Sequence, residues 1–429
     1  MPSPRTIIGM LVGGGPAPGI NSVISAATIR GILGGCDVLG ILDGFKWLME
    51  GSGGKVRPLS IEDVSRLHFC GGSYIGTSRA NPTRTVELLD RVLSTLAQLE
   101  VTRLITIGGD DTAFSAFKVE ERSAGRIQVV HVPKTIDNDL DLPNGIPTFG
   151  FQTARHVGVG IVKNLMVDAQ ATARWYFVVT MGRKAGHLAL GIGKAAGATV
   201  TIIPEEFTER PVKLRRLVDL LIGVIIKSLD SGRADGVAVL AEGLIEIVDP
   251  QDLRGLEQIE RDEHGHLRLS EVDLGDVLRR EVTKGLKDLG LSVSIVSKNV
   301  GYELRCADPI PYDIEYTRDL GYCASQYVLD GGTAAMVSIQ DGRFTPIPFK
   351  QMLDPGTGRA KVRMVDIGSQ SYQTARQYMI RLTEEDFNDP DRLGRCAALA
   401  GLSPAAFRTR FSGSAEPMAQ SDQKKGQVA

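Results

Sequence analysis

Short apolar runs that stop at a glycine- or acid-rich turn and give way to helix-spaced segments recur along this chain. Thr6 to Val12 is followed by Gly13-Gly14-Gly15-Pro16-Ala17-Pro18-Gly19 and then by helical spacing from Ile20 to Ile32. Val38 to Leu42 stops at Asp43-Gly44, Leu104 to Ile107 at Gly108-Gly109-Asp110-Asp111, and Ile127 to Val132 at Pro133-Lys134. Thr85 to Leu99 and the segment from Thr112 have helical spacing between them. Strand, turn, helix, strand specifies a parallel, doubly wound α/β sheet. The pattern restarts with a helix over Thr153 to Ala173. Strands follow over Trp175 to Thr180, Thr201 to Ile203 and Gly236 to Leu240, with a helix over Leu214 to Leu229. A second domain of similar architecture is therefore expected. In such sheets ligands bind at the carboxyl ends of the strands, where these turns lie.

The length of 429 residues suits two to three domains, and 42% apolar with 23% charged residues is ordinary globular usage. A net charge of −2 gives no general pull toward nucleic acid or an anionic membrane. The five cysteines lack C-x-x-C spacing and read as reduced thiols. No apolar stretch reaches the roughly 20 residues that span a bilayer. The first residues lack the pattern of a secretory signal. The chain reads as cytoplasmic. Gly331 onward is mixed in character, and the polar stretch from Ser412 is expected to be disordered.

The first glycine turn matches neither a dinucleotide fingerprint nor a P-loop. It is either an anion site at a helix N-terminus or a tight connection. Gly71 to Arg79 is a second glycine- and hydroxyl-rich loop, in which Arg79 either grips phosphate or is a solvated cation. Asp110 and Asp111 suit Mg²⁺, which is held by one or two carboxylates plus substrate phosphates; the plain alternative is helix capping. Lys134-Thr135-Ile136-Asp137-Asn138-Asp139-Leu140-Asp141 carries the most information. Three acids within five residues repel unless a cation or hydroxyl organises them. With a lysine beside them they suit a general base acting on a hydroxyl, and Asp and Asn also fill ordinary turns. Arg183 and Glu242 end strands and could hold a sugar phosphate. Arg174 and His187 have surface or packing roles as equal alternatives.

In this order the motifs resemble the phosphofructokinase family over roughly residues 6 to 330. The match comprises Gly14 to Asn21, Gly71 to Arg79, Gly108 to Asp111, Pro133 to Asp139, Gly150 to Ala154, Met181 to Arg183, Ala241 to Gly243, and Gly301 to Arg305. The resemblance implies two Rossmann-like doubly wound domains with the active site in the cleft between them. The donor and Mg²⁺ domain is expected over 1–148 plus part of 304–411, the sugar-phosphate domain over 149–303, and a tail over 412–429. It implies phosphoryl transfer to the 1-hydroxyl of fructose 6-phosphate, with Asp137 as the base and Asp110 on Mg²⁺. Gly15 and Arg79 would contact the donor. Thr135, Ile136, Asp137, Met181, Gly182, Arg183 and Glu242 would hold the sugar. Tyr302 and Arg305 would bind its 6-phosphate region, with Glu303 and Leu304 also among the substrate-binding residues. Arg174 would reach a neighbouring subunit's substrate, so a homo-oligomer is implied.

Two positions bear on the donor. ATP-dependent members of the family carry glycine at the places of Asp111 and Lys134, whereas pyrophosphate-dependent members carry aspartate and lysine. A carboxylate at 111 would repel a nucleotide's α-phosphate. Lys134 would neutralise charge on a pyrophosphate transition state. Pyrophosphate is thus the expected donor, with Lys134 and Asp111 among the catalytic residues. The ATP-dependent reaction, a lipid or NAD kinase, and a non-catalytic sugar-phosphate-binding subunit are the alternatives. Gly301-Tyr302-Glu303-Leu304-Arg305-Cys306-Ala307 departs from the common bacterial Gly-His-x-Gln-Arg-Gly-Gly. A second intersubunit arginine is replaced by, at nearest, Lys298.

Overall fold

The computed structural model describes residues 6–253, 272–352 and 361–414. The strands in chain order are β1 Ile7–Val12, β2 Asp37–Ile41, β3 Val56–Leu59, β4 Val101–Gly108, β5 Gln128–Thr135 and β6 Phe149–Gly150. β7 Arg174–Thr180, β8 Val200–Ile202, β9 Gly236–Ala241 and β10 Ser294–Val300 follow. Four short strands close the series: β11 Ala335–Met336, β12 Ile339–Gln340, β13 Arg343–Phe344 and β14 Ile347–Pro348.

The chain forms two compact units, one of residues 1–158 and 301–364, the other of 159–300 and 365–429. These divisions fall later and earlier than the expected boundaries at 148 and 303. In the first unit the sheet runs β14-β11-β5-β4-β1-β2-β3, with β6 paired to β5. β1, β2, β4 and β5 are mutually parallel where they pair. β3 and β14 are antiparallel edge strands. The central strands are apolar almost throughout because helices cover both faces. Five of the six β1 residues are buried. Helix Ile20–Leu33 packs along helix Pro311–Leu329. Helix Val86–Gln98 is started by Thr85, whose hydroxyl accepts from Leu88 N at 3.3 Å.

The second unit carries the parallel sheet β10-β7-β9-β8. Its core joins Trp175, Phe177, Val200 and Leu240 to the apolar face of helix Leu214–Asp230 and to Leu382, Phe407 and Phe411. The poorly readable C-terminal third is thus divided. β11 extends the first sheet, and helices Gln370–Gln377, Pro390–Leu399 and Pro404–Phe411 belong to the second unit.

Two local expectations are corrected. The helix after β4 begins at Asp110 rather than Thr112. β5 continues through Pro133 and Lys134 to Thr135, so Lys134 sits on a buried strand end rather than in a turn. Ser412–Ser414 is a short helical turn; the rest of the expected tail lies outside the described residues. No described helix is long and apolar enough to cross a membrane. All five cysteines are free.

Candidate active site

The ends of β1, β4 and β5 bring the first cluster together in the first unit. Gly13 N donates to Ile107 O at 2.8 Å and Gly14 N to Ser78 O at 2.8 Å, which ties the first glycine turn to β4 and to the loop carrying Arg79. The Thr77 hydroxyl donates to Gly14 O at 2.7 Å. Buried Asn21 straps the same loop: its amide donates to Cys70 O and Gly71 O at 3.1 and 2.9 Å, and its oxygen accepts from Tyr74 N at 2.7 Å. Gly15 lies against Arg305: a Cβ there would come within 3.3 Å of the guanidinium.

Lys134 reaches across this cluster and donates to Gly15 O. Its residue exposure is only 5%. Burial pushes its pKa down to about 8, Arg305 and Arg79 push the same way, and Asp137 and Asp110 oppose them. A partly desolvated cation thus stands among two arginines and two carboxylates. Asp110 and Asp111 open helix Asp110–Ser123 as exposed side chains, and Asp111 N donates to Asp110 Oδ1 at 2.9 Å. The helix N-terminus adds its own favourable field for anions.

The loop after β5 is laced by hydrogen bonds. Thr135 Oγ1 accepts from Asp137 N at 3.0 Å and donates to Asp139 at 3.1 Å. Asn138 is left-handed, with φ 57. Its oxygen accepts from Thr148 N at 3.0 Å, and the Thr148 hydroxyl donates to Thr135 O at 2.7 Å. Ile136 is buried, while Asp137 is half-buried. The short helix Tyr302–Arg305 buries Leu304 and exposes Tyr302, with the Arg305 guanidinium 5.5 Å from the Tyr302 ring centroid. Glu303 accepts from Gly301 N at 3.1 Å. Arg305 therefore stands beside Gly15 and Lys134 within this unit, closer to the expected donor residues than its assignment to the 6-phosphate implied.

In the second unit the ends of neighbouring β7 and β9 meet. Glu242 N donates to Thr180 O at 3.0 Å, and Gly182 N donates to Glu242 Oε2 at 3.2 Å. Gly182 has φ 142, and a Cβ on Gly243 would lie 2.9 Å from Arg183 O, so both turns require glycine. Met181 N donates to Val300 O at 3.1 Å, and exposed Arg183 lies 3.4 Å from Glu246. Arg174 is not part of this group. It starts β7, whose seven residues place it roughly 20 Å from Met181 along the strand. Lys298 lies on β10 opposite Val178. His187 opens helix His187–Ala196, away from any named role.

A model of the family described as Phosphofructokinase matches residues 7–328. The chain belongs to the phosphofructokinase family. The pyrophosphate–fructose 6-phosphate 1-phosphotransferase of Thermotoga maritima is 53% identical over 409 residues, 94% of this chain and 97% of that one. Its counterpart from Naegleria fowleri is 48% identical over 413 residues, 94% of each chain. The solved structure of a pyrophosphate-dependent phosphofructokinase from Nitrosospira multiformis superposes with a TM-score of 0.66 at 16% identity, covering 87% of this chain and 90% of that one. At that identity the likeness is one of fold.

Two residues that the sequence motifs did not flag bond to these turns. His131 is fully buried between the two acidic segments. Its Nδ1 lies 2.8 Å from the Thr106 hydroxyl and its Nε2 lies 3.0 Å from Gly108 O. Burial drives its pKa down to about 3, so it is neutral, with Nε2–H donating to the carbonyl that precedes Gly109 and Asp110. A lone histidine inside an apolar strand gave no signal of this. Arg363, beyond the family match, also reaches the loop after β5. For a metal, no cluster of three or more His, Cys, Asp or Glu ligands exists among the described residues. Exposed Asp110 offers carboxylate oxygens, which fit a hard cation completed by substrate phosphates.

Proposed function

We propose that this phosphofructokinase transfers a phosphoryl group from pyrophosphate to the 1-hydroxyl of fructose 6-phosphate, giving fructose 1,6-bisphosphate and phosphate reversibly. The observation that carries the reading is Lys134, buried against Gly15 O and facing Arg305, Arg79, Asp137 and Asp110. The names of relatives at 53% and 48% identity support the same donor and acceptor.

In the proposed reaction the Asp137 carboxylate takes the proton of the 1-hydroxyl as its oxygen attacks one phosphorus of pyrophosphate. The bridging P–O bond breaks, and inorganic phosphate leaves with the bridging oxygen. Lys134, Arg79 and the Gly15 backbone hold the donor, and Arg305 adds charge on the same side. Asp110 would hold Mg²⁺, which would neutralise phosphate charge on the donor. Asp111 repels the longer polyphosphate of a nucleotide. Thr135 and Ile136 orient the base. Met181, Gly182, Arg183 and Glu242 hold the sugar, with Tyr302, Glu303 and Leu304 bordering its phosphate.

Arg174, at the far end of β7 from Met181, supports a role toward a second copy's substrate, and hence a homo-oligomer. We place the enzyme in the cytoplasm, with no nucleic-acid or membrane partner. The test is a donor comparison with fructose 6-phosphate, together with Asp137→Ala. Turnover with Mg-pyrophosphate and not Mg-ATP is expected, and the variant should lose about 10²–10⁴-fold in kcat. Turnover with ATP alone, or an unchanged variant, overturns the reading.

A further inference from the structure

Asn138 follows the proposed base directly, and its left-handed backbone aims the turn that carries Asp137. One side chain, far away in sequence, grips that residue. Arg363 Nε donates to Asn138 O at 3.1 Å, and Nη2 donates to Asn138 Oδ1. Nη1 donates to Ile146 O at 2.9 Å, on the opposite limb of the same loop. Arg363 N also donates to Asp139 O at 2.8 Å, and Val362 bridges Leu140 in antiparallel fashion. The segment 361–364 thus lies along the base-carrying loop as an extra strand-like strap. It comes from chain beyond the residues 7–328 that the family model matches.

Three nitrogens on one planar group serve acceptors on both limbs of the loop. A lysine, with a single nitrogen on a flexible stem, cannot reproduce that fork. Asn138 Oδ1 accepts from Arg363 and from Thr148 N together, so loosening the arginine also loosens the second limb. Misplacing a reacting group by about 1 Å is enough to cost 10²-fold in rate.

We propose that Arg363 is a positioning residue for the phosphoryl-transfer reaction, holding Asn138 and thereby the carboxylate of Asp137 in attacking register. The proposal rests on Asp137 being the base. Arg363 touches backbone and amide groups of the loop, so its effect falls on turnover rather than on donor or sugar affinity.

The experiment uses the full-length protein with Mg-pyrophosphate and fructose 6-phosphate. Arg363→Ala is expected to lower kcat about 10–100-fold, with both KM values within about threefold and the thermal unfolding profile cooperative. Added guanidinium should restore part of kcat, and methylammonium at the same concentration should not. Arg363→Lys should resemble the alanine variant, and it carries the test if the alanine variant does not fold. Asn138→Gly, which retains the left-handed backbone, should make Arg363→Ala scarcely worse when the two are combined. A folded Arg363→Ala or Arg363→Lys enzyme with kcat within twofold of wild type overturns the proposal. So does a loss that only mirrors the unfolded fraction and that guanidinium does not rescue. An inactive wild type would instead overturn the reaction itself, so the two failures are distinguishable.

Discussion

Raising the pH titrates Lys134, one cation of the donor cluster. In the free protein its pKa is about 8, because burial and the neighbouring Arg305 and Arg79 disfavour its charge more than Asp137 and Asp110 favour it. At pH 7 about nine-tenths of the lysine is protonated, and at pH 9 about one-tenth. Because kcat/KM reports the free enzyme, kcat/KM for pyrophosphate should fall by about tenfold between pH 7 and 9. Bound pyrophosphate brings negative charge beside the ammonium and raises its pKa, so the alkaline limb of kcat should lie at higher pH. Pyrophosphate itself ionises over this range. Lys134→Arg supplies the control, since its cation does not titrate and the donor's own ionisation cancels in the ratio of the two profiles. Steady-state rates from pH 6.5 to 9.5 give that ratio. A flat ratio would refute the assignment of Lys134 as the donor's titrating cation.

The same pKa has a consequence for stability. A lysine whose pKa drops from 10.5 unfolded to about 8 folded opposes folding, because the folded state disfavours the proton. The cost is fully present below pH 8, is relieved as pH rises toward 10.5, and is about 3 kcal/mol at most. Loss of its bond to Gly15 O offsets about 1 kcal/mol of that on removal. Lys134→Met should therefore be more stable than wild type at pH 7 by roughly 1–2 kcal/mol, with the gap closing by pH 10. Denaturant unfolding of the ligand-free protein at both pH values measures it. A variant less stable than wild type at pH 7 contradicts the electrostatic account.

Two further outcomes are expected. Asp111→Gly should produce measurable turnover with Mg-ATP while lowering turnover with pyrophosphate, and no ATP activity would remove Asp111 from donor selection. Gly108→Ala should destabilise the first unit by about 1–3 kcal/mol, because its Cβ would lie 2.4 Å from Thr112 Cβ; adding Thr112→Ala should recover part of the loss in thermal unfolding.

How legible each part was in the sequence follows from how local its cause is. The strands and their turns could be read because burial on both faces makes a parallel strand apolar throughout, and because its end must then turn sharply. Gly13 and Gly108 show this: each lies so close to Thr112 that only glycine fits. Asp110, Lys134 and Asp137 could be found because a run of charge beside glycine is improbable in a core. Lys134 still read as part of a turn, since the sequence does not reveal that β5 carries a cation into a buried position. The short strands after Gly331 hid for a different reason. β11 and β14 are two residues each and depend on pairing with β5 and with one another, so they carry no periodicity of their own. Arg363 is the extreme case. Its side-chain acceptors lie 225 and 217 residues away in sequence, and one of several cations in a mixed segment bears no trace of them. Motif residues are legible when one short stretch does the chemistry. The residues that hold such a stretch in place are recruited by the fold from wherever the chain happens to pass.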